Sequence, residues 1–159
     1  HAKWVNVEYG TIAGFRTYMT GEVFAALKNH TILGRLTAAG PHRDDAFLRG
    51  LQAASGTSPG DLLHMIFSAR SLVLFRQLSE QDVESYLSGL LIGAEILSAC
   101  VQLGTSPGEG LVVLGEGKLA ARYKTACEAL GFPATTVDAD CIVFGHLAIA
   151  SAGAAQAGT

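Results

Sequence analysis

This chain is poor in most of the residues that give a protein's chemistry away. Only 16% of its 159 residues are charged, and 11 Lys and Arg against 14 Asp and Glu leave a formal net charge of −3. The cations are scattered, so no basic face for nucleic acid is written here. Cysteine is scarce as well. Cys100, Cys127 and Cys141 are odd in number and lack C-x-x-C spacing, which argues against a disulfide framework or a zinc site and for a reducing cytoplasm. No apolar run reaches membrane-spanning length, since the longest, from Leu87 to Val101, is cut by Gly89, Gly93 and Glu95. His30, His42, His64 and His146 stand in four separate segments without an H-x-x-x-H pair, so no metal site is expected. Neither G-x-S-x-G nor G-x-x-x-x-G-K-[ST] occurs. Cys141, beside Asp140, has no histidine at catalytic spacing, and no residue offers itself as a general base. The chain also opens on His1 rather than Met, almost directly into a strand pattern, which predicts a domain cut from something longer.

What is present suffices for one domain with a real core, because 49% of the residues are hydrophobic. Lys3 to Val7 and Thr11 to Thr17 read as a hairpin about Tyr9-Gly10. Thr20 is a candidate N-cap for a helix to about Asn29, with Glu22 in its first turn. A short helix is expected from Asp44 to Ala54, and another opens with Ser58 as N-cap, Pro59 and Asp61. Ser79 and Asp82 resemble a capping box ahead of the longest helix, whose face is carried by Val83, Leu87, Leu90, Leu91, Ala94 and Val101 until Gly104 stops it. Gly89 and Gly93, four apart within that helix, signal a close approach by another element. Cys100 and Cys127, in apolar helical settings, are expected to pack as small hydrophobes.

The richest segment runs from Leu111 to Ala121. A short apolar strand breaks at Gly115-Glu116-Gly117 and resumes as a helical pattern beginning at Lys118. Strand, glycine turn and helix N-terminus in succession let a ligand approach bare backbone whose first N–H groups have no partner within the helix. Such turns also serve as plain connections in α/β folds. The dinucleotide fingerprint is incomplete, because Ala120 stands where its third glycine would fall. A turn at Gly131-Phe132-Pro133, a strand from Ala134 to Asp138 and a small-residue helix from about Ile142 complete the order. The expected class is α/β, a mixed sheet flanked by helices. Outside the turn, Lys3 is a candidate phosphate-binding cation or a solvated strand-end lysine, and Thr20-Gly21-Glu22 a candidate anion or sugar site or a plain cap. Glu95, alone in an apolar helix face, is expected at a solvent edge or paired with an arginine.

Four stretches together resemble the C-terminal half of the 2-dehydro-3-deoxygalactonokinase family: His1 to Leu27, Phe67 to Arg70, Tyr86 to Ile96 and Val112 to Tyr123. These are sugar-acid kinases of the actin-like, hexokinase-like ATPase superfamily. The resemblance implies an actin-like ATPase (ribonuclease H-like) domain II over residues 1–153, a disordered tail over 154–159, and an N-terminal domain absent from this chain. It implies ATP and Mg²⁺ as cofactors, a sugar acid as substrate, a cytoplasmic setting, and neither nucleic acid nor membrane as partner, with homo-oligomer formation left open. Gly115, Glu116, Gly117 and Lys118 match the adenosine motif of such kinases. Here Glu116 separates the two glycines, where related kinases often pair them. His1 and Lys3 match the second phosphate-binding element, though the Gly-Thr pair that precedes this histidine in the family lies outside the chain. The sugar site and the catalytic acid are implied upstream, so no catalytic residue is assigned here. Three other readings stand beside it: a kinase for another sugar acid, a non-catalytic ATP-binding or assembly module of the same fold, and a Rossmann-like dinucleotide enzyme, which the incomplete fingerprint and the preceding hairpin disfavour.

Overall fold

The computed structural model describes residues 2–56, 59–138 and 140–147. His1, the Ser58 cap and the proposed tail at 154–159 therefore lie outside the described residues. Strands β1 (Ala2–Glu8) and β2 (Thr11–Tyr18) form the expected antiparallel hairpin, paired from Ala2↔Tyr18 to Glu8↔Thr11. Tyr9 and Gly10 both take positive φ, 52° and 75°. That handedness matches the twist of the flanking strands. Helices α1 (Thr20–His30), α2 (Asp44–Ser55), α3 (Leu62–Leu74) and α4 (Val83–Leu103) follow. Strand β3 (Leu111–Leu114), helix α5 (Gly117–Ala129) and strand β4 (Ala134–Val137) close a parallel βαβ unit, and residues 141–147 are helical.

Helix α4 is the axis of the core. By its 21 residues and a mean hydropathy of 1.5 it is long and apolar enough to cross a membrane, longer than the interrupted apolar run suggested. Yet 67% of its apolar window is buried within the protein, the setting of a core helix. Two clusters meet on it. Val83, Tyr86, Leu87 and Leu90 pack with α3 residues Ile66 and Ala69, while Ile92, Ile96 and Cys100 pack with Phe47, Leu51, Ala126 and Cys127. Helices α2 and α4 touch backbone to backbone through glycine. A Cβ on Gly89 would lie 2.0 Å from the Phe47 carbonyl oxygen, and one on Gly50 2.1 Å from that of Tyr86. The close approach signalled by Gly89 and Gly93 is therefore made by α2. Gly104, at φ 71°, ends the helix, and the Thr105 N–H returns to the Cys100 carbonyl at 2.9 Å.

Several expectations fail on contacts that sequence spacing does not report. Thr20 is the first residue of α1 rather than its cap, and its hydroxyl turns to Glu95 instead. Ser79 donates to Asp82 Oδ2 at 2.7 Å, so the pair closes a turn ahead of α4 without a side-chain cap on the helix. Val101, placed on the buried face by periodicity, is 79% exposed because no described element packs over the last turn there. The one mixed sheet is not formed. Among the described residues the hairpin and the β3–β4 pair are two separate two-stranded sheets. Among these residues strands β1 and β3 each have a ladder partner on one side alone, and both border the same open cleft.

Candidate functional site

The cleft has a volume of about 1190 Å³. One wall is β1, from Ala2 to Val7; the other is β3 with Gly115, Glu116 and the α5 residues Leu119, Ala120 and Tyr123; Ser88, Leu91, Ile92 and Glu95 of α4 lie between. A volume of this size suits a nucleotide-sized ligand.

Of the residues singled out from sequence, Gly115, Glu116, Lys3, Thr20, Gly21 and Glu95 line the cleft, and Glu22 does not. Gly117 and Lys118 are exposed and do not line it. The turn's geometry divides its two glycines. Gly117 has φ +61° and needs glycine's conformational freedom, whereas Gly115 does not take a positive φ. The Gly115 N–H is already committed to the Val137 carbonyl at 3.3 Å, extending the β3–β4 ladder. Glu116 occupies the N-cap position of α5 with extended backbone and no capping side-chain bond. The turn therefore presents the start of a 13-residue helix beside the cleft.

Glu95 overturns its sequence reading. It is 3% exposed and, among the described residues, pairs with no arginine. Three neutral donors from three elements converge on it instead. Trp4 Nε1 of β1 donates to Oε1 at 2.8 Å, Tyr123 OH of α5 donates to Oε2 at 2.9 Å, and the Thr20 hydroxyl of α1 donates to Oε2 as well. A carboxylate taken out of water needs such partners. Burial, reinforced by the Glu95 charge and the bond to it, pushes the Tyr123 phenol well above its ordinary range, so its proton stays in place as the donor. Cys127 lines the cleft, but burial foremost raises its thiol to about 11, and burial likewise raises Cys100 to about 11. Both remain protonated at neutral pH and pack as the small hydrophobes expected.

Sequence reasoning missed Trp4, Arg122 and Tyr123 as cleft residues. For Trp4 the sequence signal is only half of one: alternation sets Ala2, Trp4 and Asn6 on one face of β1 and Lys3, Val5 and Val7 on the other, and the structure makes the first the more buried. The rest depend on how α4 and α5 are placed, which no local pattern states.

An α/β domain with a nucleotide-sized cleft beside a strand–glycine–helix turn is the class defined by fold and site. The sequence profile of the family described as 2-keto-3-deoxy-galactonokinase matches residues 1–149. The chain belongs to that family. It is 36% identical over 146 residues to a protein of Rhizobium meliloti (strain 1021) named "Probable 2-dehydro-3-deoxygalactonokinase", covering 88% of this chain and 46% of the relative. To the 2-dehydro-3-deoxygalactonokinase of Escherichia coli (strain K12) it is 34% identical over 140 residues, covering 88% and 47%. A crystal structure from Sinorhizobium meliloti assigned to the same kinase superposes with a TM-score of 0.77 at 35% identity, over 87% of this chain and 46% of that one. The chain thus spans about half the length of the curated relatives it matches.

Proposed function

We propose that this chain is the C-terminal, ATP-binding half of a cytoplasmic kinase that phosphorylates 2-dehydro-3-deoxygalactonate. The observation that carries the reading is the cleft, bordered by the glycine turn and by two strand edges that have no ladder partner among the described residues, in a chain that spans 46% of a kinase relative. Residues 1–153 make up this half, and its fold is that of an actin-like ATPase domain II. At the turn from Gly115 to Lys118 the contact with adenine and ribose falls to Gly115 and Glu116, which line the cleft, and Lys3 serves the phosphates; for His1 the same role rests on the family resemblance. The free thiols of Cys100, Cys127 and Cys141 support the cytoplasmic setting.

Phosphoryl transfer needs positioned phosphates, charge neutralisation and a residue that orients the hydroxyl nucleophile. This half supplies the first and, through Lys3, part of the second. Mg²⁺ bound with the nucleotide would supply the remaining charge neutralisation. Among the described residues no group of acidic, His or Cys side chains gathers as a metal site, and the Glu95 oxygens are engaged by three donors, so no ion-holding role is assigned within this half. The sugar acid and the residue that orients its hydroxyl belong to the other half, and closure of the two excludes water.

The test is an ADP-release assay with 2-dehydro-3-deoxygalactonate and Mg-ATP, run on the full-length protein and on this chain. Turnover is expected from the full-length protein and none from the chain. Turnover by the chain alone would refute the half-enzyme reading. ATP binding by a full-length protein that phosphorylates no sugar acid would leave a non-catalytic module.

A further inference from the structure

Among the described residues no strand ladder and no backbone hydrogen bond joins the hairpin to β3 or α5, so side chains hold the two walls of the cleft in relation to each other. Trp4 and Tyr123 both pack against the cluster around Ile92 and Ile96, but apolar packing is non-directional and does not by itself fix a spacing. The polar link is Glu95. It receives Trp4 from the hairpin wall, Tyr123 from the α5 wall and Thr20 from the start of α1, and Ser98, three residues further along α4, meets Tyr18 of the hairpin at 3.1 Å. Hydrogen bonds to a buried carboxylate are directional and among the strongest a protein makes.

We infer that Glu95 is the positioning residue of the cleft, the group through which the hairpin wall and the α5 wall are held at one fixed separation for a nucleotide. The inference rests on the nucleotide reading for its ligand but not for the coupling. Tyr123 is the seventh residue of α5, five residues beyond Lys118, so a pull on its hydroxyl acts on the helix that the turn begins. Trp4 sits next to Lys3. A group bonded to both ties the adenosine side to the phosphate side.

Trp4 is the sole tryptophan of the chain, so its emission reports on one end of the link. Tyr123→Phe keeps the ring and its packing and removes only the hydroxyl at the other end. In the folded, ligand-free chain this variant should shift Trp4 emission, and the shift should vanish when Glu95→Gln is already present. Thr20→Val provides the same comparison should Glu95→Gln fail to fold. With ADP as probe, Tyr123→Phe should weaken binding by about tenfold, the effect of losing one hydrogen bond to a charged group. Trp4 emission unchanged by both Tyr123→Phe and Thr20→Val would overturn the coupling. Absence of ADP binding by the unmodified chain, with the emission coupling intact, would sink the nucleotide reading alone.

Discussion

Gly115 and Gly117 look alike in sequence and are not alike in the fold. Gly117 takes φ +61° with open space around it, so an added Cβ meets conformational strain and no neighbour. Gly117→Ala should cost about 1 kcal/mol in chemical denaturation. Gly115→Ala should be nearly neutral there, since its Cβ would rest 3.6 Å from Ala120 Cβ, an ordinary contact. At the cleft the order reverses, because Gly115 lines it and Gly117 does not. Gly115→Val in the full-length protein should raise the KM for ATP and leave kcat unchanged, as the adenosine end is bound alike in ground and transition states. A folded Gly115→Val enzyme with wild-type KM would remove the turn from the site. The glycine turn was legible from spacing; which glycine carries the unusual backbone was not, since that depends on the Val137 carbonyl claiming the Gly115 N–H.

Helix α4 shows at the level of an element what periodicity can and cannot convey. Its span, its glycine stop and its glycine contact were readable, because each follows from local spacing. The burial of Glu95 was not, because it exists only where Trp4, Thr20 and Tyr123 arrive from three other elements. The glycine contact separates two substitutions of the same chemistry. Gly89→Ala would place a Cβ 2.0 Å from the Phe47 carbonyl oxygen, a backbone atom that moves only if α2 moves. Gly93→Ala would meet Ala54 Cβ at 2.9 Å, Leu51 Cδ2 at 3.1 Å and Leu51 Cα at 3.4 Å, a much shallower overlap that a shift of a few tenths of an ångström in α2 relieves. Thermal unfolding should therefore rank them, with Gly89→Ala losing about 3 kcal/mol or more and Gly93→Ala about 1 kcal/mol. Equal losses would mean that α2 yields as a body and that backbone contact does not set the crossing.

Across the whole molecule, the sheet is the feature on which sequence and structure part. Strand content was legible, and so was the parallel pairing of β3 with β4; the joining of all strands into one mixed sheet was not, because it requires backbone between β1 and β3 that the described residues do not supply. Two-stranded sheets are marginal by themselves, and open edges invite association. Here the open edges carry apolar side chains into the cleft, with Val7 60%, Val112 63% and Leu114 65% exposed. In the half-enzyme reading the remaining half of the kinase covers them. Hydrogen exchange measures this on the backbone itself. Peptides spanning residues 2–8 and 111–114 should exchange quickly in this chain and be protected in the full-length protein, while the α2–α4 core exchanges slowly in both. In the nucleotide reading, ADP or ATP alone should protect residues 115–118 and the start of β1 around Lys3, without the protection that the other half gives across residues 2–8 and 111–114. Were β1 and β3 equally labile in the chain and in the full-length protein, the other half would be docked elsewhere, and the cleft would be complete with the two walls already described.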